Sequence, residues 1–108
     1  VTLSTHVLDT HLGRPAAGVP VRLDRHMGDT WSPLAEDVTD ADGRLSGLPA
    51  PEPGTYRLRF GTGPYFAGLG TATFYPEVSV VFTVADPGEH HHVPLLVSPF
   101  GYSTYRGS

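Results

Sequence analysis

The sequence predicts an antiparallel β-sandwich, and three observations carry that prediction. Apolar and polar residues alternate in several short runs, turn-forming residues separate the runs, and no long amphipathic helix interrupts them. With 13 Gly and 11 Pro among 108 residues the chain is rich in turns, and 39% apolar residues suffice for one core. A single domain over residues 1–108 is expected.

Taken in order, Leu3 to Leu8 reads as the first strand. Val19, Val21 and Leu23 share one parity, with polar Arg22 and Asp24 alternating, which predicts a strand with one buried face. Trp31 to Val38 is a weaker strand, and Pro33 places it at a sheet edge because proline cannot donate to a ladder. Tyr56, Leu58 and Phe60 alternate with Arg57 and Arg59 in the same way. Val78 to Val84 is apolar almost throughout, so both its faces are expected to be covered. Val93 to Val97 forms another strand, and the Tyr-rich end reads as a final edge strand. Leu12-Gly13-Arg14-Pro15, Asp40-Ala41-Asp42-Gly43 and Pro49 to Gly54 are turns. One segment breaks the strand rhythm. Pro64 suits a helix start and Gly70 the position past its end, which predicts one short helix over residues 64–69.

Composition excludes several classes. All seven cations are Arg, set against 11 carboxylates for a net charge of −4, the opposite of a nucleic-acid binder's basic patch. No apolar run approaches the ~18 residues of a membrane-spanning helix. Without Cys there is neither a disulfide scaffold nor a thiolate nucleophile or ligand. No secretory or transit pattern opens the sequence, so a cytoplasmic bacterial protein is expected; a signal removed before Val1 would make it periplasmic. A chain this short has little volume for a private deep pocket, so a ligand site is expected in a surface groove or between copies.

The remaining oddity is six His, three of them consecutive in Glu89-His90-His91-His92-Val93-Pro94. In a strand His90 and His92 share one face and His91 takes the other. Two imidazoles on one face suit metal ligation or acid–base work, although a solvated cluster at a strand start is the plainer reading. His6 has the opposite parity to Leu3 and Val7, and by itself reads as surface. Arg44 follows a turn and by itself reads as a loop cation. The carboxylates are scattered, and neither a Gly-rich phosphate loop nor a Gly-x-Ser-x-Gly elbow is present.

Two ends of the chain carry a more specific signal. Leu3-Ser4-Thr5-His6-Val7-Leu8-Asp9-Thr10, the segment His92-Val93-Pro94-Leu95-Leu96 and the terminal Tyr105-Arg106-Gly107-Ser108 resemble signatures of the 5-hydroxyisourate hydrolase family, the transthyretin-related enzymes of urate breakdown. Phe74-Tyr75-Pro76-Glu77-Val78 is also similar, and the resemblance runs end to end. The terminal Tyr-Arg-Gly-Ser is its specific part, separating hydrolases from the hormone carrier.

That resemblance implies a transthyretin-like sandwich of two four-stranded sheets with one helix. It also implies a homotetramer whose cofactor-free, metal-free sites line a channel at the dimer–dimer interface. The substrate would be the small molecule 5-hydroxyisourate, opened at its N1–C6 amide, with no nucleic-acid or membrane partner. Carried over by motif, the catalytic set is His6, Arg44, His92 and Ser108, while Tyr105, Arg106 and Gly107 shape the substrate pocket. Ser108 would offer a hydroxyl and, as the last residue, a carboxylate. A neutral imidazole suits activation of water, and a guanidinium suits the charge gathering on the attacked carbonyl. Which His acts as base is left open. Family members often carry an aromatic residue where this chain has His91, which leaves a surface His run able to collect adventitious zinc. Three other readings are a small-ligand carrier of the transthyretin type, a zinc protein using His90, His92 and His6, and a purely structural sandwich module.

Overall fold

The computed structural model describes residues 2–108 and folds the alternating runs into two stacked sheets with one helix. In chain order the first elements are β1 (Thr2–Asp9), β2 (Arg14–Pro15), β3 (Pro20–Met27), β4 (Thr30–Val38), β5 (Arg44–Pro49) and β6 (Gly54–Phe60). They are followed by α1 (Thr62–Gly68), β7 (Val78–Val84), β8 (His91–His92), β9 (Leu95–Ser98) and β10 (Gly101–Thr104).

One sheet is antiparallel throughout, in the order β4-β3-β6-β7. Strand β4 is at its edge, as Pro33 requires, and Leu34 bulges where the register shifts opposite Leu23 and Asp24. The β3 strand outlasts its alternating core. It continues to Met27 because Gly28 (φ +61°) and Asp29 close a two-residue hairpin that pairs Met27 with Thr30. On the outer face Asp24 is almost fully covered, accepting Arg57 Nη2 at 2.9 Å and Arg59 Nε at 2.8 Å. Outermost β7 departs from expectation. Val78 and Val84 are buried, but Val81 is 57% exposed, because a strand of a two-layer sandwich has only one core face.

The other sheet is built around β1. Strands β5 and β2 pair along one of its edges, β8 and β9 along the other, and β10 lies outside β9. These short pieces make four columns, so the four-stranded expectation holds in width while the strand count is six. Both β8 and β9 run parallel to β1, where an antiparallel sheet is expected. Val93-Pro94 interrupts the predicted strand and separates β8 from β9.

The core lies between the sheets, with Leu3, Val7, Leu23, Leu58, Phe60 and Leu95 fully buried. Helix α1 starts at Thr62, two residues before the expected Pro64, and contributes Phe66 to that core. Proline still fits its first turn, where N–H groups have no intrahelical partner. Tyr65 ties the helix to β1, donating to Asp9 Oδ2 at 2.6 Å, while Asp9 Oδ1 accepts His11 N and Leu12 N. Burial and the Asp9 carboxylate push the Tyr65 hydroxyl well above its ordinary range.

Candidate active site

Strand β1 points Leu3, Thr5 and Val7 into the core, so Ser4 and His6 face out of the sandwich. On one side His6 pairs with Arg44 of β5, and on the other Ser4 pairs with His92 of β8. Residues facing each other across a ladder share a face. Three adjacent strands therefore bring Arg44, His6, Ser4 and His92 onto one outer surface.

The turn before β5 aims Arg44. Asp40 Oδ1 accepts the backbone N–H of both Asp42 and Arg44 at 2.9 Å, and Gly43 adopts φ +73°. Among the described residues no carboxylate lies within ion-pairing distance of the Arg44 guanidinium. An open pocket of about 390 Å³ results, lined by Ser4, Arg44, Ser46, His90, His92 and Ser108 among others.

Ser4 Oγ is the hub. It lies 2.9 Å from His90 Nε2 and 2.8 Å from His92 Nδ1. Burial lowers the His92 pKa from the ordinary imidazole value, and the nearby Arg44, His90 and His6 lower it further, while the Ser4 backbone carbonyl opposes them. A neutral imidazole at neutral pH follows, with Nδ1 engaged and Nε2 left for a ligand.

His6 is held differently. Its Nε2 donates to the Asp42 carbonyl at 2.9 Å, which places the proton of a neutral ring on Nε2. Its ring stands beside Arg44 and within electrostatic reach of His92, just outside the pocket lining. Of the motif-derived catalytic set, Arg44, His92 and Ser108 line one pocket directly and His6 flanks it.

The terminal residues divide. The Gly107 N–H donates to the His92 carbonyl at 2.8 Å, fastening the segment onto β8. Tyr105 and Arg106 instead line a second groove of about 290 Å³ with β7, on the other side of His92, and Arg106 pairs with Glu89 at 3.0 Å. In a single chain they do not reach the Arg44 pocket.

His91 corrects one expectation. It takes the face opposite His92, as parity requires, but is buried, with Nδ1 donating to the Glu89 carbonyl at 3.0 Å. The three His thus form no continuous surface run, because the alternate face of β8 is the core face, opposite Leu3. Among the described residues no group of three His, Asp or Glu is arranged to hold a metal ion, and the His90–His92–His6 zinc reading finds no such group.

Residues 3–107 match the family model described as the HIUase/Transthyretin family. The chain belongs to this family. It is 50% identical over 116 residues to the 5-hydroxyisourate hydrolase of Deinococcus radiodurans, covering 98% of this chain and 95% of that protein. Among solved structures it is similar to Klebsiella pneumoniae 5-hydroxyisourate hydrolase, with a TM-score of 0.87, 43% identity and full coverage of both chains. Sea bream transthyretin in complex with thyroxine superposes with a TM-score of 0.91 at 32% identity, over 97% of this chain and 93% of that one. Backbone likeness therefore does not separate the family's branches; side chains must.

Sequence reasoning gave Ser4 no role of its own and left His90 undecided. A signal existed, because Ser4 has the parity of His6 and carries a short hydroxyl. Only the parallel pairing of β1 with β8 shows what that hydroxyl meets.

Proposed function

We propose that this chain hydrolyses 5-hydroxyisourate, opening its N1–C6 amide with water. The observation that carries this reading is the convergence of Arg44, His92 and Ser108 on one open pocket, with His6 beside it. Relatives named 5-hydroxyisourate hydrolase at up to 50% identity support it. In this mechanism the Nε2 lone pair of neutral His92 takes a proton from water as its oxygen attacks C6. The Arg44 guanidinium, with no carboxylate partner among the described residues, faces the oxygen that becomes negative, a fixed charge needing no proton transfer. Protonated His92 then returns the proton to N1 as the N1–C6 bond breaks, and the new carboxylic acid ionises. His6 positions water or substrate, and the Ser108 hydroxyl contributes a polar contact.

The pocket is open on the outer face of its sheet, and a planar bicycle bound there would keep one side bare. A tetramer in which the same sheet of another copy covers that face supplies the missing wall. Exposed Phe74, Phe100 and Tyr102, clustered at and near edge strand β10, offer apolar surface for pairing of copies. Tyr105 and Arg106 would act at the wall of His92 facing β7, and Gly107 by seating the His92 ring.

Freshly generated 5-hydroxyisourate tests the reading. Its near-ultraviolet band should decay faster with the protein, and Arg44→Ala should lower kcat/KM by ~10²-fold or more. No acceleration would overturn it. The alternative, a small-ligand carrier on the same backbone, would be established instead by tight thyroxine binding without turnover.

A further inference from the structure

One serine hydroxyl joins two imidazoles in this site, and a hydroxyl has a single proton to give. Ser4 Oγ, 2.9 Å from His90 Nε2 and 2.8 Å from His92 Nδ1, can donate to only one of them and must accept from the other. The two rings are therefore linked in opposite senses. If Ser4 donates to His90, His92 donates from Nδ1 and its lone pair is on Nε2. If His90 donates to Ser4, the hydroxyl turns to His92 Nδ1, and a neutral His92 then carries its proton on Nε2.

We propose that Ser4 and His90 are positioning residues that select the tautomer of His92, and that protonation of the solvent-exposed His90 switches His92 out of its base form. The proposal rests on the hydrolase reading, because only an Nε2 lone pair can take a proton from water in the Arg44 pocket. A protonated His90 has no lone pair at Nε2, so it can only donate. The Ser4 proton must then point at His92, and the water-activating nitrogen is blocked without any movement of the ring.

His90 and His92 sit among other charges. Arg44 of β5, His6 of β1, Asp40 of the preceding turn and the Glu89–Arg106 pair all surround them, and residue-resolved detection keeps their titrations apart. Ser4 is half-buried on the outer face of β1 and His90 is exposed, both away from the core that holds β1 and β8 in register. Substituting either one should leave the packing of those strands intact.

The direct test is a nitrogen-15 spectrum of the imidazoles in the ligand-free protein across a pH series. The expected result has His92 protonated on Nδ1 at high pH, with its tautomer moving toward Nε2–H in step with protonation of His90. In Ser4→Ala that coupling should vanish while the melting temperature and oligomeric state stay unchanged. A His92 tautomer that ignores His90 in the native protein overturns the proposal whatever the substrate is. Kinetics give the second arm. Ser4→Ala and His90→Ala should each lower kcat about 5- to 20-fold with KM changing less than twofold, and the double variant should be no worse than the poorer single. Ser4→Thr, which keeps the hydroxyl, should restore most of the turnover. Additive losses, or a Ser4→Ala enzyme with native kcat and pH profile, would overturn it. Native-like tautomer coupling in a protein that does not turn over 5-hydroxyisourate would instead count against the hydrolase reading alone.

Discussion

Gly107 lies against the edge of the His92 imidazole. A Cβ at that position would stand 2.5 Å from His92 Cδ2, 3.2 Å from its Cγ and 3.3 Å from Pro94 Cγ. The absence of a side chain at residue 107 is thus what allows His92 to sit with Nδ1 on Ser4. The terminal motif and β8 form one unit.

Gly107→Ala should therefore act on chemistry more than on stability. The ring is the element that yields, turning Nδ1 away from Ser4, and kcat should fall about tenfold or more, since ~1 Å of misplacement has large kinetic cost. Thermal denaturation should show little change. Native kcat in a folded Gly107→Ala protein would contradict the seating role.

The lowered His92 pKa has a definite sign in solution. Above the ordinary imidazole value of 6.5 the ring is neutral folded or unfolded. Below it the unfolded chain binds a proton that the folded site resists, so stability falls with pH until the lower folded value is passed. The His92 ring itself, whichever nitrogen holds its proton, should stay neutral below pH 6.5 and charge only on a more acidic limb. Arg44→Gln removes the largest cause after burial, so it should move the His92 titration upward, read by imidazole carbon-13 shifts.

Gly43 predicts the opposite balance. Its φ of +73° and the close approach of a Cβ to the Val7 carbonyl forbid a side chain, and its own carbonyl accepts Val7 N at 2.8 Å. Gly43→Ala should cost about 1–3 kcal/mol of stability and misdirect Arg44, lowering activity as well. Urea denaturation beside steady-state kinetics measures both.

Asp24 separates fold from site. Its buried carboxylate holds Arg57 and Arg59 on the sheet remote from the pocket, and both Arg remain partly exposed. Asp24→Asn should cost about 1–2 kcal/mol, below the fully buried range because water screens the cations, and leave kcat unchanged. A change in kcat at full folding would reveal a coupling between the sheets.

Much of this architecture was legible in local pattern. Parity placed His6 opposite Leu3, and Pro33 marked an edge strand, because alternation and the missing proline N–H are properties of a few neighbouring residues. The same local logic failed at Val78–Val84, where apolar composition could not reveal that β7 is outermost and bares Val81. It failed at Asp24, whose burial depends on two Arg more than 30 residues away. Parity set His91 apart from His92 without showing that its other side is the core.

The sequence by itself determined the strand periods, the turns, and the residue types able to activate water and stabilise an oxyanion. Motif likeness at the two ends pointed to the family. Tertiary structure alone decided that Ser4 and His92, 88 residues apart, share a hydrogen bond, and that Tyr105 and Arg106 face a different groove from Arg44. The reason is register. Period and turn chemistry are written within a few residues, whereas the pairing that puts β8 beside β1 exists only once the core has closed.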